Sequence, residues 1–314
     1  MANVKNKSVK TKNEVEVAGV VKENKLIVDK DKVNGSLVIQ YGSKVDQQAE
    51  IKMYINRLKD EKDSNGKKTG KQIENKKYDT AKEWATNLIS TAKSTEEKPA
   101  SVVRVYGKGD FTPSINLNEY CNENTDDIIS NIELSLGFGN VYEGDIPKEQ
   151  FKAEFDMIVY LNKNPKKQEK DGKEILVIEG LYIDYQGAVK PVEFTVEDEE
   201  LIEGIEECKK GDTVNLWGSC KVAHIVETKE KKSGFGGKAK TETKTFTQRQ
   251  LLVEGGDPID EDDKLAIDSD FIKKALIERE AYLEELKNKN KKDNKSKGKG
   301  GFGAGSISDG DIPF

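Results

Sequence analysis

Alternation of apolar and polar residues dominates the chain between Val15 and Glu254. Successive side chains of a strand point to opposite faces, so this period of two predicts β-strands with one face in a core. In the first half we predict a strand at Val15–Val20 that continues at Leu26–Val28, and further strands at Leu37–Tyr41, Ile51–Ile55 and Ser101–Tyr106. Ile115–Leu117 is predicted to begin a fifth strand. In the second half the predicted strands are Phe155–Leu161, Ile175–Tyr185, Val192–Val196, Thr213–Val226 and Arg249–Val253.

Three segments have the helical period instead. Apolar residues of Ala81–Ala92 recur on one helix face, and Thr80 with Glu83 has the spacing of a capping box at its start. Trp84 falls on this apolar stripe, so we predict that it belongs to the core. A short helix is predicted over Glu199–Lys209, and a longer one over Asp270–Lys287 with Ser269 as its cap.

The two halves of the chain share an order of elements. Each has strands, a helix, and then a strand that ends in an aromatic residue and glycine, at Val103–Gly107 and at Val214–Gly218. The order strand, strand, strand, helix, strand, strand is that of the OB-fold, a small Greek-key barrel. We therefore predict a mainly β chain of two tandem OB-fold-like barrels, followed by a C-terminal helix and a disordered tail.

Shifts in composition suggest the domain boundaries. Lys287–Lys299 contains seven lysines and one aspartate, and the Gly/Ser segment after it cannot bury enough apolar surface to become ordered. Within the connector given in the next sentence, the pattern near Ile132–Phe138 allows one further strand. We predict a disordered N-terminus at 1–14, a first OB-fold-like domain at 15–122, a connector at 123–149, a second OB-fold-like domain at 150–256, an acidic linker and helix at 257–288, and a disordered Lys/Gly-rich linker with a partner-binding tip at 289–314.

Charge narrows the kind of partner. The 314 residues carry a net charge of -6, which excludes a globally basic nucleic-acid binder but not a local basic face. Only Arg57, Arg104, Arg249 and Arg279 are arginines, and the other 48 of the 52 basic residues are lysines. Lysine suits phosphate, whereas the arginine fork reads guanine edges. A nucleic-acid contact would therefore follow the backbone rather than read the base sequence.

Residues for catalysis are scarce. The three cysteines, Cys121, Cys208 and Cys220, lack the spacing of zinc ligands, and His224 is the single histidine. The chain has no Walker loop and no Gly-x-Gly-x-x-Gly that opens a helix after a strand. The acidic run Asp257–Asp263 is typical of a solvated linker. We expect no enzyme, no cofactor and no metal.

Targeting signals are also missing from the sequence. No apolar run approaches the length of a membrane span, and residues 1–14 have no apolar signal core. We therefore expect a cytoplasmic protein without a membrane partner. The composition, rich in lysine, asparagine and glutamate but poor in arginine, indicates an AT-rich bacterial or viral genome. A viral protein of this composition would act in the bacterial host cytoplasm.

The end of the chain carries the most specific motif. A Gly-rich segment leads to a terminal Asp-Gly-Asp-Ile-Pro-Phe, which resembles the tail of bacterial single-stranded DNA-binding proteins, the SSB family. That family's tail recruits replication and repair proteins, whose hydrophobic pocket takes the last phenylalanine and whose basic residues hold the carboxylates. The family's tail usually carries more aspartates. The resemblance implies that replication or repair partners bind Asp309, Asp311, Ile312, Pro313 and Phe314.

A second resemblance lies in the core. Lys209–Gly218 resembles the SSB segment from the helix to strand four, and the match covers roughly residues 192–226, whereas the first half of the chain matches only in outline. It implies a sequence-independent single-stranded DNA-binding protein that coats exposed strands in replication, recombination and repair. The alternative is a tandem OB-fold adaptor that binds protein or RNA in a replication complex.

Single-strand-binding OB-folds stack bases on exposed aromatic side chains. If Val103 and Val105 face the core, the alternation of a strand turns Arg104 and Tyr106 outward. The same alternation, with Val214 and Leu216 facing the core, turns Trp217 outward. The alternative, which we weigh equally, is that Tyr106 and Trp217 pack against the other barrel or the connector. Tyr54, opposite in parity to Met53, is a weaker stacking candidate.

The loop Thr228–Thr245 supplies the remaining candidates. It joins strands four and five of the second barrel, a usual place for a binding loop, and it interleaves glycines with lysines. A solvated hairpin tip is the alternative. The nucleic-acid-binding candidates in this region are Phe235, Lys238, Lys240, Lys244 and, on the strand that follows, Arg249.

Overall fold

The computed structural model describes residues 11–297, apart from 64–66, 108–112, 123–124, 126, 138, 171, 185 and 232–239. Side chains are described throughout this part except at residue 62 and in 223–248 and 289–297. No helix in these described ranges is long and apolar enough to cross a membrane.

The strands divide into two sets, which we call the first and the second module. The first module contains β1 (Asn13–Asn24), β2 (Ile27–Val28), β3 (Lys32–Gln40), β4 (Gln48–Asn56), β5 (Leu58–Lys62), β6 (Lys68–Glu74), helix α1 (Lys76–Asn87), β7 (Val102–Tyr106), β8 (Ser114–Cys121), β9 (Ile128–Leu136) and β10 (Asn140–Glu143). The second module contains β11 (Lys152–Leu161), β12 (Lys166–Lys170), β13 (Lys173–Ile183), β14 (Val189–Val196), helix α2 (Glu199–Glu206), β15 (Thr213–Lys231) and β16 (Lys240–Ile259). Helix α3 (Ser269–Lys297) follows.

The second module closes into a barrel. Strand β11 pairs antiparallel with β13 and β15, β13 with β14, and β15 with β16. The ring closes where β14 and β16 run parallel, with Thr195 opposite Leu252. Helix α2 lies between the third and fourth strands of the ring, and the carboxylate of Asp198 caps it by accepting from the amide of Leu201 at 3.0 Å. The predicted fold class, mainly β with a barrel and a C-terminal helix, is confirmed.

The first module follows the same circuit of pairings with more breaks. Strand β1 pairs with β3 and β7, and β3 pairs with β4. The parallel contact joins β4 to β9, with Ile51 opposite Leu134, and β10 completes the circuit against β7. Ile115–Leu117, expected to begin the fifth strand, lies in β8, which forms a hairpin with β9 instead. The closing strands fall within 123–149, where Ser130 and Asn131 interrupt the alternation of β9.

The N-terminal strands join the two modules. Asn13–Ala18 of β1 pairs antiparallel with Lys152–Met157 of β11, and Val15 lies opposite Phe155 at the centre of this pairing. One sheet therefore runs through both modules. Asn13 and Glu14, placed by composition in a disordered segment, belong to β1, and the hydroxyl of Thr11 in the same segment donates to the carbonyl of Ile183 at 2.8 Å.

One tyrosine of each module forms a hydrogen bond with the backbone of a hairpin in the other module. The hydroxyl of Tyr41 donates to the carbonyl of Cys220 at 2.7 Å, and the hydroxyl of Tyr182 accepts from the amide of Leu117 at 2.8 Å. Burial raises the pKa of both phenols, so they stay neutral and keep these hydrogen bonds at physiological pH.

The helices begin at caps that the sequence pattern did not identify. Helix α1 starts earlier than the apolar stripe, because the side chain of Asn75, not Thr80, accepts from the amide of Lys77. Trp84 lies in the core, as predicted. The carboxylate of Asp268, one residue before the expected Ser269, accepts from the amide of Phe271 at 2.9 Å. Helix α3 then continues into the lysine-rich segment.

Candidate nucleic-acid interface

The outer side of β2, β3 and β4 forms an open surface that we call the first strand face, consisting of Ile27, Lys32, Asn34 and Tyr54. Met53 and Ile55 point into the core, so the alternation of the strand turns Tyr54 outward, where it is 61% exposed. Tyr54 lies opposite Asn34 in β4 and β3, and Asn34 lies opposite Ile27 in β2. An aromatic ring, an amide and an aliphatic side chain therefore form one row across three strands.

Lys32 adds a positive charge to this row. Its ammonium lies 5.4 Å from the centroid of the Tyr54 ring, within the range of a cation–π contact. A base stacked on an exposed ring and a phosphate bound to an ammonium are the two contacts that hold a single strand without reading its sequence. The first strand face carries both groups, with the ammonium of Lys32 over the ring of Tyr54.

A charged hairpin borders the first strand face. Strands β5 and β6 pair with each other, and the amide of Arg57 at their base donates to the carbonyl of Asp31 in the β2–β3 turn at 2.8 Å. The side chains of β6 are exposed throughout. Lys68 forms an ion pair with Asp60 at 2.5 Å, so part of the positive charge of the hairpin is neutralised within it.

Tyr106 and Trp217 point outward, as strand parity predicts, because Val103, Val105 and Leu216 are buried. The two aromatic residues line one groove of about 440 Å³ where β1 meets β11, and Trp217 is 37% exposed. The groove also contains five carboxylates, from Glu14, Glu16, Glu154, Asp156 and Glu254.

Register explains why these acids crowd together. Glu16 lies opposite Glu154 in the β1–β11 pairing, an arrangement that is destabilising without counter-ions. Lys152 bridges them at 3.0 and 2.8 Å. Burial lowers the pKa of Lys152, but its hydrogen bonds to Glu154 and Glu16 raise it more, so the net shift is upward. Arg104 donates to Gln150 at 2.7 Å and lies 3.4 Å from Glu16.

The acidic lining of this groove opposes a phosphate backbone. Arg104 and Lys152 already form ion pairs with carboxylates of the groove, so little positive charge is left to bind the phosphates of DNA. The DNA-binding roles of Tyr106, Trp217 and Arg104 stay predictions, and the first strand face is the better-equipped surface.

Arg249 lies between the modules. One of its terminal nitrogens forms an ion pair with Glu50 at 2.7 Å, and the other donates to the carbonyl of Ile132 at 2.8 Å. Glu50 also accepts from the hydroxyl of Ser36. These contacts join β16 to β4 and β9, so a DNA-binding role for Arg249, which stays a prediction, competes with a structural one.

The predicted binding loop is shorter than expected, because β15 runs to Lys231 and β16 starts at Lys240. Lys240 pairs with Lys231, and Lys244 pairs with Glu227, in the two arms of this hairpin. The side chains of Lys240 and Lys244 are not described. Phe235, Lys238 and the tail predicted to bind partners, 309–314, lie outside the described residues, and their roles stay predictions.

Sequence reasoning missed Lys32 and Ile27. Their place beside Tyr54 depends on the register across three strands, which no local pattern reveals. Among the residues described, no group of three or more histidine, cysteine, aspartate or glutamate side chains could hold a metal ion.

The fold defines the class of the protein: a mainly β protein with a barrel and a C-terminal helix. The chain belongs to the YorF family, whose family model matches residues 11–289. No curated protein matches the sequence.

Two similar solved structures come from Thermus aquaticus. The wild-type single-stranded DNA binding protein of that organism is 11% identical, with 80% of this chain and 94% of that chain covered at a TM-score of 0.46. A deletion mutant of the same protein is 12% identical, with 81% and 97% covered at a TM-score of 0.46.

Proposed function

We propose that the protein binds single-stranded DNA with little sequence preference, through the first strand face. The observation that carries this proposal is the pair formed by the exposed ring of Tyr54 and the ammonium of Lys32, 5.4 Å from the ring centroid. The pair lies on β3 and β4, which hold the places of the second and third strands, the face that OB-folds use for oligonucleotides.

The state of the arginines supports sequence-independent binding. Arg249 is paired with Glu50, Arg279 with Glu119, and Arg104 with Glu16. Three of the four arginine forks that could read guanine edges are thus engaged within the protein, and the fourth, Arg57, is exposed. Stacking on Tyr54 requires an unpaired base, which favours single strands over duplex.

We further propose that the protein coats exposed strands in replication, recombination or repair. The tail would recruit a partner, with Phe314 as the apolar anchor and Asp309 and Asp311 as steering charges. The support for this step is the Asp-Ile-Pro-Phe ending of the sequence.

A binding titration with two single substitutions tests the proposal. Fluorescence anisotropy of labelled oligo(dT) should rise on adding the protein, and the affinity should fall steeply with salt because bound phosphates release counter-ions. Tyr54→Ala and Lys32→Ala should each weaken binding, whereas Tyr282→Ala, at an exposed tyrosine of α3, should not. Equal binding to duplex of the same length, or an unaffected Tyr54→Ala protein, would contradict the proposal.

The acidic groove favours a second candidate function, that of an adaptor for a basic protein segment. Tyr106 and Trp217 flank carboxylates that would attract lysine and arginine side chains and could contact them through their rings. Trp217 fluorescence reports on this groove, and Glu154→Gln with Asp156→Asn should weaken binding of a lysine-rich peptide. A peptide that leaves the fluorescence unchanged excludes this function.

A further inference from the structure

We infer that each chain has one face for single-stranded DNA, on the first module, and that the corresponding surface of the second module anchors helix α3 instead. This inference rests on the function proposed above. It departs from the expectation that a duplicated module supplies two equivalent binding sites.

Register identifies the corresponding positions. The first pair between β1 and β3 joins Val20 to Gln40, and Gln40 lies opposite Gln48 of β4. The first pair between β11 and β13 joins Tyr160 to Leu181, and Leu181 lies opposite Pro191 of β14. Gln48 and Pro191 therefore hold corresponding positions. Six residues beyond Gln48 is Tyr54, and six residues beyond Pro191 is Glu197. The second module thus has an exposed carboxylate where the first has its stacking ring.

Helix α3 covers the neighbouring part of the second module's face. Met157, Val159 and Leu161 point into the barrel, so Ile158 and Tyr160 point out, and both are buried beneath the helix. Ile272 and Ala275 of the helix and Ile267 just before it make this contact. On the sheet it is completed by Leu181, Ile183 and Val189. This surface is apolar and buried, which suits a helix rather than a phosphate backbone.

The uncovered part of the same face is acidic. Glu179 lies opposite Glu193 in β13 and β14, and both side chains point away from the core. Lys163 forms an ion pair with Glu179 at 2.7 Å, whereas Glu193 is exposed. The corresponding acid of the first module is Glu50, two residues beyond Gln48, and Arg249 neutralises it. The exposed Glu193 carboxylate thus disfavours phosphates at the second face, whereas the ion pair of Glu50 with Arg249 reduces that repulsion at the first.

An ion pair with the first module holds the helix in place. The guanidinium of Arg279 donates to both carboxylate oxygens of Glu119 in β8, with one contact at 3.0 Å, and the side chains are 13% and 2% exposed. Departure of α3 would break this shielded ion pair and would also expose the apolar contact beneath the helix to water, and both changes are unfavourable. The helix is therefore a permanent part of the second module's surface and not a lid that DNA displaces.

The stoichiometry of short oligonucleotides tests the inference on the unchanged protein. A single OB-fold covers roughly 4–16 nucleotides, so native mass spectrometry with oligo(dT) of about eight nucleotides counts the faces in use. We expect one oligonucleotide per chain at saturation, and Tyr54→Ala should raise the oligonucleotide concentration needed to reach it. Two per chain would overturn the inference while leaving the proposed function intact. No binding at all would instead overturn the proposed function, and with it the inference.

A matched pair of helix variants provides the second measurement. Ile272→Asp places a charge at a residue that is 3% exposed and should release α3, whereas Ile277→Asp changes a residue of the same helix that is 68% exposed. Both proteins should still bind one oligonucleotide per chain, with affinities within twofold of the unchanged protein. A second oligonucleotide bound only by the Ile272→Asp protein would show that α3 conceals a DNA site and would overturn the inference. If that variant does not fold, the stoichiometry of the unchanged chain decides alone.

Discussion

The ion pair between Arg279 and Glu119 should be one of the most sensitive points in the protein. Arg279→Ala removes two charge-assisted hydrogen bonds from the Glu119 carboxylate, which is 2% exposed and also accepts from the hydroxyl of Ser130 at 3.3 Å. Removing one partner of a buried ion pair costs about 3–5 kcal/mol. We therefore expect the free energy of unfolding to fall by about that amount, a large share of the roughly 5–15 kcal/mol typical of a protein domain.

Urea unfolding followed by circular dichroism and tryptophan fluorescence would measure this loss. Lys273→Ala is the matched control, since it breaks an exposed ion pair with Asp270 on the same helix and should cause no measurable change. The double variant Arg279→Leu with Glu119→Leu should recover much of the stability, because apolar residues can replace a buried ion pair. If Arg279→Ala costs no more than Lys273→Ala, the buried-charge argument fails and aliphatic packing alone holds α3.

Four further outcomes are expected. Tyr54→Ala should weaken oligo(dT) binding by about 1–3 kcal/mol, more than Trp217→Ala, whose groove is acidic; anisotropy titrations that give the reverse order would favour the groove as the DNA site. Burial raises the pKa of Cys220 to about 12, so stability should fall as pH rises from about 9 towards 12, by at most about 1.4 kcal/mol per pH unit for this thiol, and Cys220→Ala should flatten the decline in urea midpoints. Native Cys220 should also resist alkylation at pH 8 longer than Cys208, and equal labelling rates in peptide mapping would contradict its burial. Deleting 309–314 should leave DNA affinity unchanged or slightly higher but remove replication or repair partners from a pull-down, and identical partner sets would refute the role of the tail.

Local patterns predicted elements better than their connections. The alternation of Val103 and Val105 correctly gave the buried side of β7, and the helical stripe placed Trp84 in the core. The same alternation cannot tell which strand closes a circuit, because pairing is a contact between distant segments. Ile115–Leu117 therefore has the pattern of a closing strand but forms a hairpin with β9. The domain boundaries inferred from composition stay predictions.

The candidate site depends on neighbours even more strongly. The alternation along β4 identified Tyr54 as outward-facing. It is a candidate DNA-binding residue because Lys32 lies over its ring, and only the register of β3 and β4 brings Lys32 there. Trp217 was equally outward by parity, yet β1 and β11 bring Glu14 and Asp156 into its groove. Side-chain direction can be predicted from one strand, whereas the charge around it is set by several.

The unequal surfaces of the two modules follow from what each must do beyond folding. Both share a circuit of pairings, and a tyrosine of each bonds to the backbone of the other module, so the common framework constrains inward positions and hydrogen-bonding edges. Outward positions are free of that constraint and differ: an aromatic ring at Tyr54 against a carboxylate at Glu197. Helix α3 packs on an apolar surface of the second module. An apolar surface covered by a helix does not also bind phosphates. Assigning DNA to the first module and the helix to the second removes this conflict, because each face then needs only one chemistry.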